Sequence, residues 1–173
     1  MPPRTVPLPD LFQTVAPLMP VPPVTVSGIA IDSRLVKPGD LFVALVGGID
    51  RHDFIADVIA RGGLAVVGTR SAIDQDIPYV QVADDRTALA QISAAFYGYP
   101  ARQLTMLGVT GTDGKTTTAN LLYKILGAAG LQVGMISTVN AVIGGEVLDT
   151  GFHVTTPEAM DVQHYLRQMV DAG

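Results

Sequence analysis

Alternation of apolar and polar positions begins at Val24, and Val24–Ile31 reads as a strand. Lys37-Pro38-Gly39-Asp40 supplies the fixed and the positive φ of a turn, and the apolar run Leu41–Val46 is a second strand. Over His52–Arg61 the period changes: Phe54, Ile55, Val58 and Ile59 fall at helical spacing, and Gly62-Gly63 stops the helix. Leu64–Val67 and Tyr79–Val82 are two more short strands. Asp84–Tyr97 is a helix capped by Asp84 or Asp85, with Leu89, Ile92 and Phe96 on one face. Ahead of all this, residues 1–23 are rich in proline, with room for one short helix over Asp10–Ala16.

Tyr97-Gly98-Tyr99-Pro100 breaks the pattern and sets a domain boundary near residue 101. Beyond it the expected order is strand 104–109, loop, helix 115–129, strand 132–137, hairpin about Gly144-Gly145, loop and helix 157–171. Strand, helix and strand at this spacing make a βαβ unit, so the second domain is expected to carry a parallel sheet. The fold class is α/β: a small mixed N-terminal domain over 1–100, then the first part of a parallel-sheet domain over 101–173. The last helix has no strand to return to, so we expect the N-terminal piece of a longer protein.

The loop between strand 104–109 and helix 115–129 carries chemistry. It reads Gly108-Val109-Thr110-Gly111-Thr112-Asp113-Gly114-Lys115-Thr116-Thr117-Thr118. Gly111 and Gly114 let backbone N–H groups turn inward onto an oxyanion, and the helix N-terminus adds unpaired N–H groups and the positive end of its dipole. Lys115 is placed to reach the β- and γ-phosphates, and the Thr116 hydroxyl to take a Mg²⁺ position. Only three lysines occur in the 173 residues, and one stands at the phosphate position. The standard motif G-x-x-x-x-G-K-[ST] wants glycine where Val109 stands; a glycine-rich turn that binds nothing is the bland alternative.

Composition narrows the classes. With 48% hydrophobic and 16% charged residues the chain can bury a core, yet no run is long enough to cross a bilayer. No apolar segment suited to export follows Met1-Pro2-Pro3-Arg4. There is no cysteine, hence no disulfide framework or thiolate metal site. These features with a nucleotide loop fit the cytoplasm. A net charge of −5 without a Lys/Arg cluster argues against nucleic acid. No membrane partner is expected, and the chain is expected to be a monomer.

Three further places deserve a chemical reading. Thr155-Thr156-Pro157-Glu158 precedes the last helix; Thr156 as N-cap and Pro157 at the first helical position is the local reading, and Glu158 as a second oxygen ligand for Mg²⁺ is the functional one. Glu146, Asp149 and Asp161 are the other carboxylates in reach of that role, and Asp113 could orient the loop. Asp32-Ser33-Arg34 ends the first strand either as a polar turn or as an anion site, and Gly47-Gly48-Ile49-Asp50 ends the next strand and could face the same ligand. His52, His153 and His164 lack metal-ligand spacing and read as surface or core residues.

Gly111-Thr112-Asp113-Gly114-Lys115-Thr116-Thr117-Thr118 resembles the ATP loop of the Mur ligases, a family that also lacks the first glycine. Asp32-Ser33-Arg34 followed by Lys37-Pro38-Gly39-Asp40-Leu41-Phe42-Val43-Ala44, the Phe96-Tyr97-Gly98 hinge, and Thr155-Thr156-Pro157-Glu158 narrow the resemblance to the branch that makes the tripeptide. It implies an enzyme with an N-terminal UDP-binding domain, a central ATPase domain and a C-terminal domain that receives the amino acid. The implied reaction adds meso-diaminopimelate or L-lysine to UDP-N-acetylmuramoyl-L-alanyl-D-glutamate through an acyl phosphate, in synthesis of the peptidoglycan precursor.

By the same resemblance Ile31, Ser33, Gly48, Ile49 and Asp50 contact the UDP moiety, and Gly111, Thr112, Asp113, Gly114, Lys115, Thr116 and Thr117 hold ATP. Lys115 also neutralises charge during transfer, Thr116 and Glu158 coordinate Mg²⁺, and Thr155 and Thr156 bind the muramoyl-dipeptide. The site for the diamino acid lies outside these residues, so the chain alone is expected not to ligate. A small-molecule kinase with a P-loop, a folate-type ligase sharing the loop, and a non-catalytic UDP-sugar-binding module remain the alternatives.

Overall fold

The computed structural model describes residues 4–137, 140–149 and 157–173, which divide into two compact units at the Phe96–Tyr97 junction. The first unit is built on a four-stranded parallel sheet in sequence order, β3 (Gly28–Ala30), β4 (Asp40–Ala44), β5 (Ala65–Gly68) and β6 (Tyr79–Gln81), beside a small antiparallel pair, β1 (Val6–Pro7) with β2 (Thr25–Val26). The strand expected over Val24–Ile31 is thus two strands broken at Ser27. Its first half pairs with the N-terminal segment and its second half with β4, and a single straight strand cannot serve both partners.

All five residues of β4 are buried, as in a strand covered on both faces. Phe42 and Ala44 join Val66, Tyr79 and the helical residues Ile55 and Val58 in one cluster. Leu41 and Val43 alternate to the opposite face, where α3 (Asp85–Phe96) meets β4 and packs on α1 (Leu8–Leu11). The short helix is α1, two residues earlier than its pattern suggests, because Pro9 sits readily in a first turn. The segment read as helix His52–Arg61 starts as a 3-10 turn, Arg51–Phe54, and becomes α2 (Ile55–Ala60), ended by Gly62 at φ 82°. Asp84 caps α3 by accepting the Thr87 N–H at 2.6 Å.

The second unit holds a 3-10 turn (Pro100–Gln103), α4 (Lys115–Ala128), the antiparallel strands β7 (Met135–Ile136), β8 (Asn140–Ile143) and β9 (Glu146–Asp149), and α5 (Ala159–Asp171). Gly144 and Gly145, at φ 57° and 86°, make the tight turn between β8 and β9. Here the structure departs from the expected parallel crossover. Leu104–Val109 forms no strand, with Met106 and Leu107 exposed, and β7 pairs antiparallel with β8. Apolar periodicity alone does not make a strand: its N–H and C=O groups need a ladder, and among the described residues none is offered to this segment. It lines instead a largely apolar cleft of about 750 Å³ with α4, β7 and α5.

Candidate functional site

In a parallel sheet the loops that leave the carboxyl ends of the strands gather at one edge, the usual seat of a ligand. In the first unit that edge receives Ile31 and Ser33 after β3, Gly48, Ile49 and Asp50 after β4, and Thr69 and Arg70 after β5. The two groups expected to face one ligand are joined directly: the Arg51 guanidinium donates through Nη1 to the Ile31 carbonyl at 2.6 Å. Ser33 is buried. Asp32 caps the 3-10 turn that contains Ser33 by accepting the Arg34 N–H at 2.9 Å, and it binds the Arg34 side chain as well. The Arg34 hydrogen bonds hold the Asp32 carboxyl down at about 2, against the opposing effect of burial.

The loop after β4 is a closed turn. Arg51 N–H donates to the Leu45 carbonyl at 3.1 Å and Gly47 N–H to the Ile49 carbonyl at 3.3 Å, while open space surrounds the Cβ position of Gly47 and of Gly48. Ile49 is 65% exposed, an apolar side chain offered to solvent at the ligand edge. Two anchors fix this turn. On one side the Asp85 carboxylate accepts the Val46 N–H at 2.6 Å. On the other stands His52, whose side chain has no exposed surface.

His52 Nδ1 lies 2.5 Å from Asp50 Oδ1, and Nε2 accepts the Thr69 N–H at 3.2 Å. Those partners set the neutral tautomer, with the proton on Nδ1 and the lone pair on Nε2. Gly68 is required beside it, since a Cβ there would stand 2.1 Å from Nε2. The other Asp50 oxygen accepts from Arg70 Nε and Nη2 at 3.1 and 2.7 Å, and Arg70 also reaches Asp53 at 2.6 Å. Partial burial pushes the Asp50 carboxyl up, and the hydrogen bonds from His52 and Arg70 outweigh it, leaving it at about 2. The Tyr79 hydroxyl donates to the Arg70 carbonyl at 2.8 Å, and burial pushes it up to about 12.

Both Asp50 oxygens are therefore committed within the protein, which makes Asp50 a strut of the loop while Gly48 and Ile49 form its open tip. Arg51 and Arg70 went unread in the sequence, and Asp85 was read there only as a helix cap. Arg51 falls between the strand end read at Gly47–Asp50 and the helix read from His52, and Arg70 lies 20 residues from Asp50, beyond any local pattern.

In the second unit the residues from Gly108 to Gly114 form a loop that leads into α4. Gly111 and Gly114 take φ 150° and 77°, values that an L side chain rarely adopts, and Gly114 is the N-cap of α4. No atom stands within 4 Å of a Cβ built on Gly108 or Gly114, so the concave side of the loop is open. Lys115 Nζ donates to the Gly111 and Thr112 carbonyls at 2.7 and 3.1 Å, curling the ammonium over the loop that Thr112, Asp113 and Thr117 complete. Lys115 and Thr116 line the cleft already described, together with Ser137 and Pro157.

Glu158 is the N-cap of α5, and its carbonyl accepts the Asp161 and Val162 N–H groups at 3.0 and 3.2 Å. The helix therefore begins two residues later than Pro157 at its first position would have it. Burial, and then the nearby Glu158 charge, pushes the Asp161 carboxyl up. Thr155, Thr156 and His153 lie outside the described residues. Among the described residues no three Asp, Glu or His side chains cluster as metal ligands, and no helix is long and apolar enough to cross a membrane.

Known proteins are similar to this chain in sequence and in fold. Residues 109–173 match the Mur ligase middle domain. The UDP-N-acetylmuramyl-tripeptide synthetase of Deinococcus radiodurans is 45% identical over 152 residues, which is 86% of this chain and 31% of that protein. The UDP-N-acetylmuramoyl-L-alanyl-D-glutamate--2,6-diaminopimelate ligase of Bacillus cereus is 39% identical over 158 residues, 91% of this chain and 32% of that protein. Among solved structures, MurF from Acinetobacter baumannii superposes with a TM-score of 0.64 at 28% identity, over 97% of this chain and 34% of that one. The chain thus spans about a third of the length of the relatives it matches, the likeness to Mur ligases runs through both of its units, and residues 109–173 belong to the Mur ligase middle domain family.

Proposed function

We propose that this chain is the nucleotide-sugar- and ATP-holding part of a ligase that joins a diamino acid to UDP-N-acetylmuramoyl-L-alanyl-D-glutamate. The observation that carries the reading is the identity of 39–45% to two such enzymes over 86–91% of the chain. In this reading residues 1–100 take the UDP moiety at the sheet edge, through Ile31, Ser33, Gly48 and Ile49, with Asp50 holding the loop in place. Residues 101–173 begin the ATP-binding domain. A UDP-linked substrate makes the cytoplasm the compartment of the reaction.

The phosphates of ATP lie on the Gly111–Thr117 loop, whose open concave side and α4 N-terminus suit an oxyanion. Lys115 exchanges its loop carbonyls for phosphate oxygens. Thr116 and Glu158 are the residues that would hold Mg²⁺; hard oxygen donors suit that ion, and Thr116 lines the same cleft as Pro157, the neighbour of Glu158. Mg²⁺ there supplies neutralisation of the phosphate charge. Thr155 and Thr156 meet the muramoyl-dipeptide. ATP phosphorylates the glutamate carboxylate, the amine attacks the acyl phosphate, and phosphate and ADP leave. Transfer between two anions depends on positioning and charge neutralisation, which the loop amides and Lys115 provide.

The 173-residue chain binds without ligating. Calorimetric titration with UDP-N-acetylmuramoyl-L-alanyl-D-glutamate and, separately, with MgATP tests this: two independent, single-site isotherms are expected. Binding of ATP alone would turn the reading toward a kinase, and amino-acid-dependent release of ADP by the chain would overturn its incompleteness.

A further inference from the structure

Asp85 is a buried carboxylate that neither its helix nor an ion pair accounts for. It opens α3, yet the capping there falls to Asp84, whose carboxylate accepts the Thr87 N–H at 2.6 Å and whose carbonyl accepts the Ala88 N–H at 3.1 Å. Among the described residues no cation pairs with Asp85. Taking a carboxylate out of water without a counter-ion is costly. The positive end of α3 offsets part of that cost, and so does the Val46 N–H, which Asp85 Oδ2 accepts at 2.6 Å across 39 residues of sequence. That N–H stands at the root of a loop. The ladder from β4 to β5 ends at the pair Ala44 and Gly68, and Val46, two residues on, lies opposite Asp50 where the loop closes on itself. The Asp85 carboxylate takes the place of the next rung for a backbone group that the sheet no longer serves. The far limb of the loop is held through Asp50 by His52 and Arg70. The near limb is held through Asp85 by α3, which is seated by the buried Ala88, Leu89 and Ile92.

We propose that Asp85 is a positioning residue for the nucleotide-sugar substrate: it touches no ligand and fixes the root of the Gly47–Asp50 loop in the form that binds. The role rests on the reading of the first unit as the UDP-binding part. A loop ordered before the ligand arrives loses less conformational entropy on binding, so the Asp85–Val46 bond appears as affinity although it lies outside the contact surface. Loss of the carboxylate leaves the cap of α3 and the seating of that helix intact, because Asp84 and the apolar face carry those.

The test uses the 173-residue chain as wild type, Asp85→Ala and Asp85→Asn, with two readouts: amide hydrogen exchange without ligand, and calorimetric titration with UDP-N-acetylmuramoyl-L-alanyl-D-glutamate and with MgATP. Asp85→Ala is expected to speed exchange at Val46 about 10-fold or more while the amides within β4 change less than about 2-fold. The same variant should weaken the nucleotide sugar about 5- to 10-fold and MgATP less than about 2-fold. Asp85→Asn keeps an oxygen that can accept the Val46 N–H and should recover most of both losses, a rescue that mere removal of charge would not give. Far-UV circular dichroism verifies folding, and should Asp85→Ala fail to fold, Asp85→Asn against the wild type reads the same two quantities, with losses of about 2- to 3-fold expected. A wild type that binds the nucleotide sugar no better than the folded variants would overturn the role of Asp85 and leave the UDP reading standing. Exchange that quickens in β4 as much as at Val46 would make Asp85 a support of the whole unit, which also overturns it. A wild type that binds no nucleotide sugar would overturn both.

Discussion

Replacing His52 with alanine should cost the first unit a large part of its stability. The imidazole is fully enclosed, packed on Gly68, with both nitrogens bonded. Truncating a large buried side chain to alanine costs about 2–5 kcal/mol through lost burial and the cavity left behind. Two partners are stranded as well: the Thr69 N–H loses its acceptor, and Asp50 loses one donor. An unsatisfied group costs about 1–3 kcal/mol where water cannot reach it, and less at this partly exposed edge. The sum is about 3–7 kcal/mol, against a total of about 5–15 kcal/mol for a domain.

Urea unfolding with native-state hydrogen exchange at the amides of β4 and β5 is the suitable assay. Two units that unfold separately make a single bulk transition ambiguous, and those amides report only on the first. His52→Gln should recover part of the loss, because its carbonyl can stand in for Nε2 toward Thr69, and His52→Asn should recover part through a donor toward Asp50. A loss below about 1 kcal/mol in His52→Ala would refute the picture of the imidazole as the strut of the loop.

Other outcomes follow from the same geometry. Gly68→Ala places a methyl 2.1 Å from His52 Nε2 and should destabilise the first unit by about 1–3 kcal/mol in the same exchange experiment. Lys115→Ala should weaken MgATP about 10-fold or more by calorimetry, with the melting of the chain unchanged because Lys115 is exposed. In acid, the Asp32 and Asp50 carboxyls, both held at about 2, bind protons less readily in the folded chain than in the unfolded one. Their stabilisation is complete above the ordinary carboxylate range and drains away as pH falls from about 4 toward 2, so Asp50→Asn should flatten the acid limb of a pH–stability profile.

The sequence was most informative where periodicity and local backbone chemistry decide the structure. Strands β4, β5 and β6, helices α3 and α4, and the turn at Gly144-Gly145 stand close to their patterns, and Gly111 and Gly114 take the positive φ that glycine alone adopts readily. It was least informative where a partner distant in sequence decides. Val24–Ile31 looks like one strand until Val6–Pro7 claims its first half. Leu104–Val109 has the composition of a strand and lacks a ladder. The pairing of Asp50 with Arg70, which arrives from the end of β5, has no local pattern, and a histidine carries no mark in the sequence that separates a buried strut from a surface residue.

The central claim is that two ligand loops, one in each unit, take different parts of a ligase reaction. Chemical-shift mapping of the isotope-labelled chain tests it most directly. On addition of UDP-N-acetylmuramoyl-L-alanyl-D-glutamate, the account predicts shifts centred on the amides of Ile31, Ser33, Gly48 and Ile49, and on addition of MgATP a separate set over Gly111–Thr117. Saturating nucleotide sugar that leaves the sheet-edge amides unmoved, or MgATP that leaves the Gly111–Thr117 amides unmoved, would contradict it.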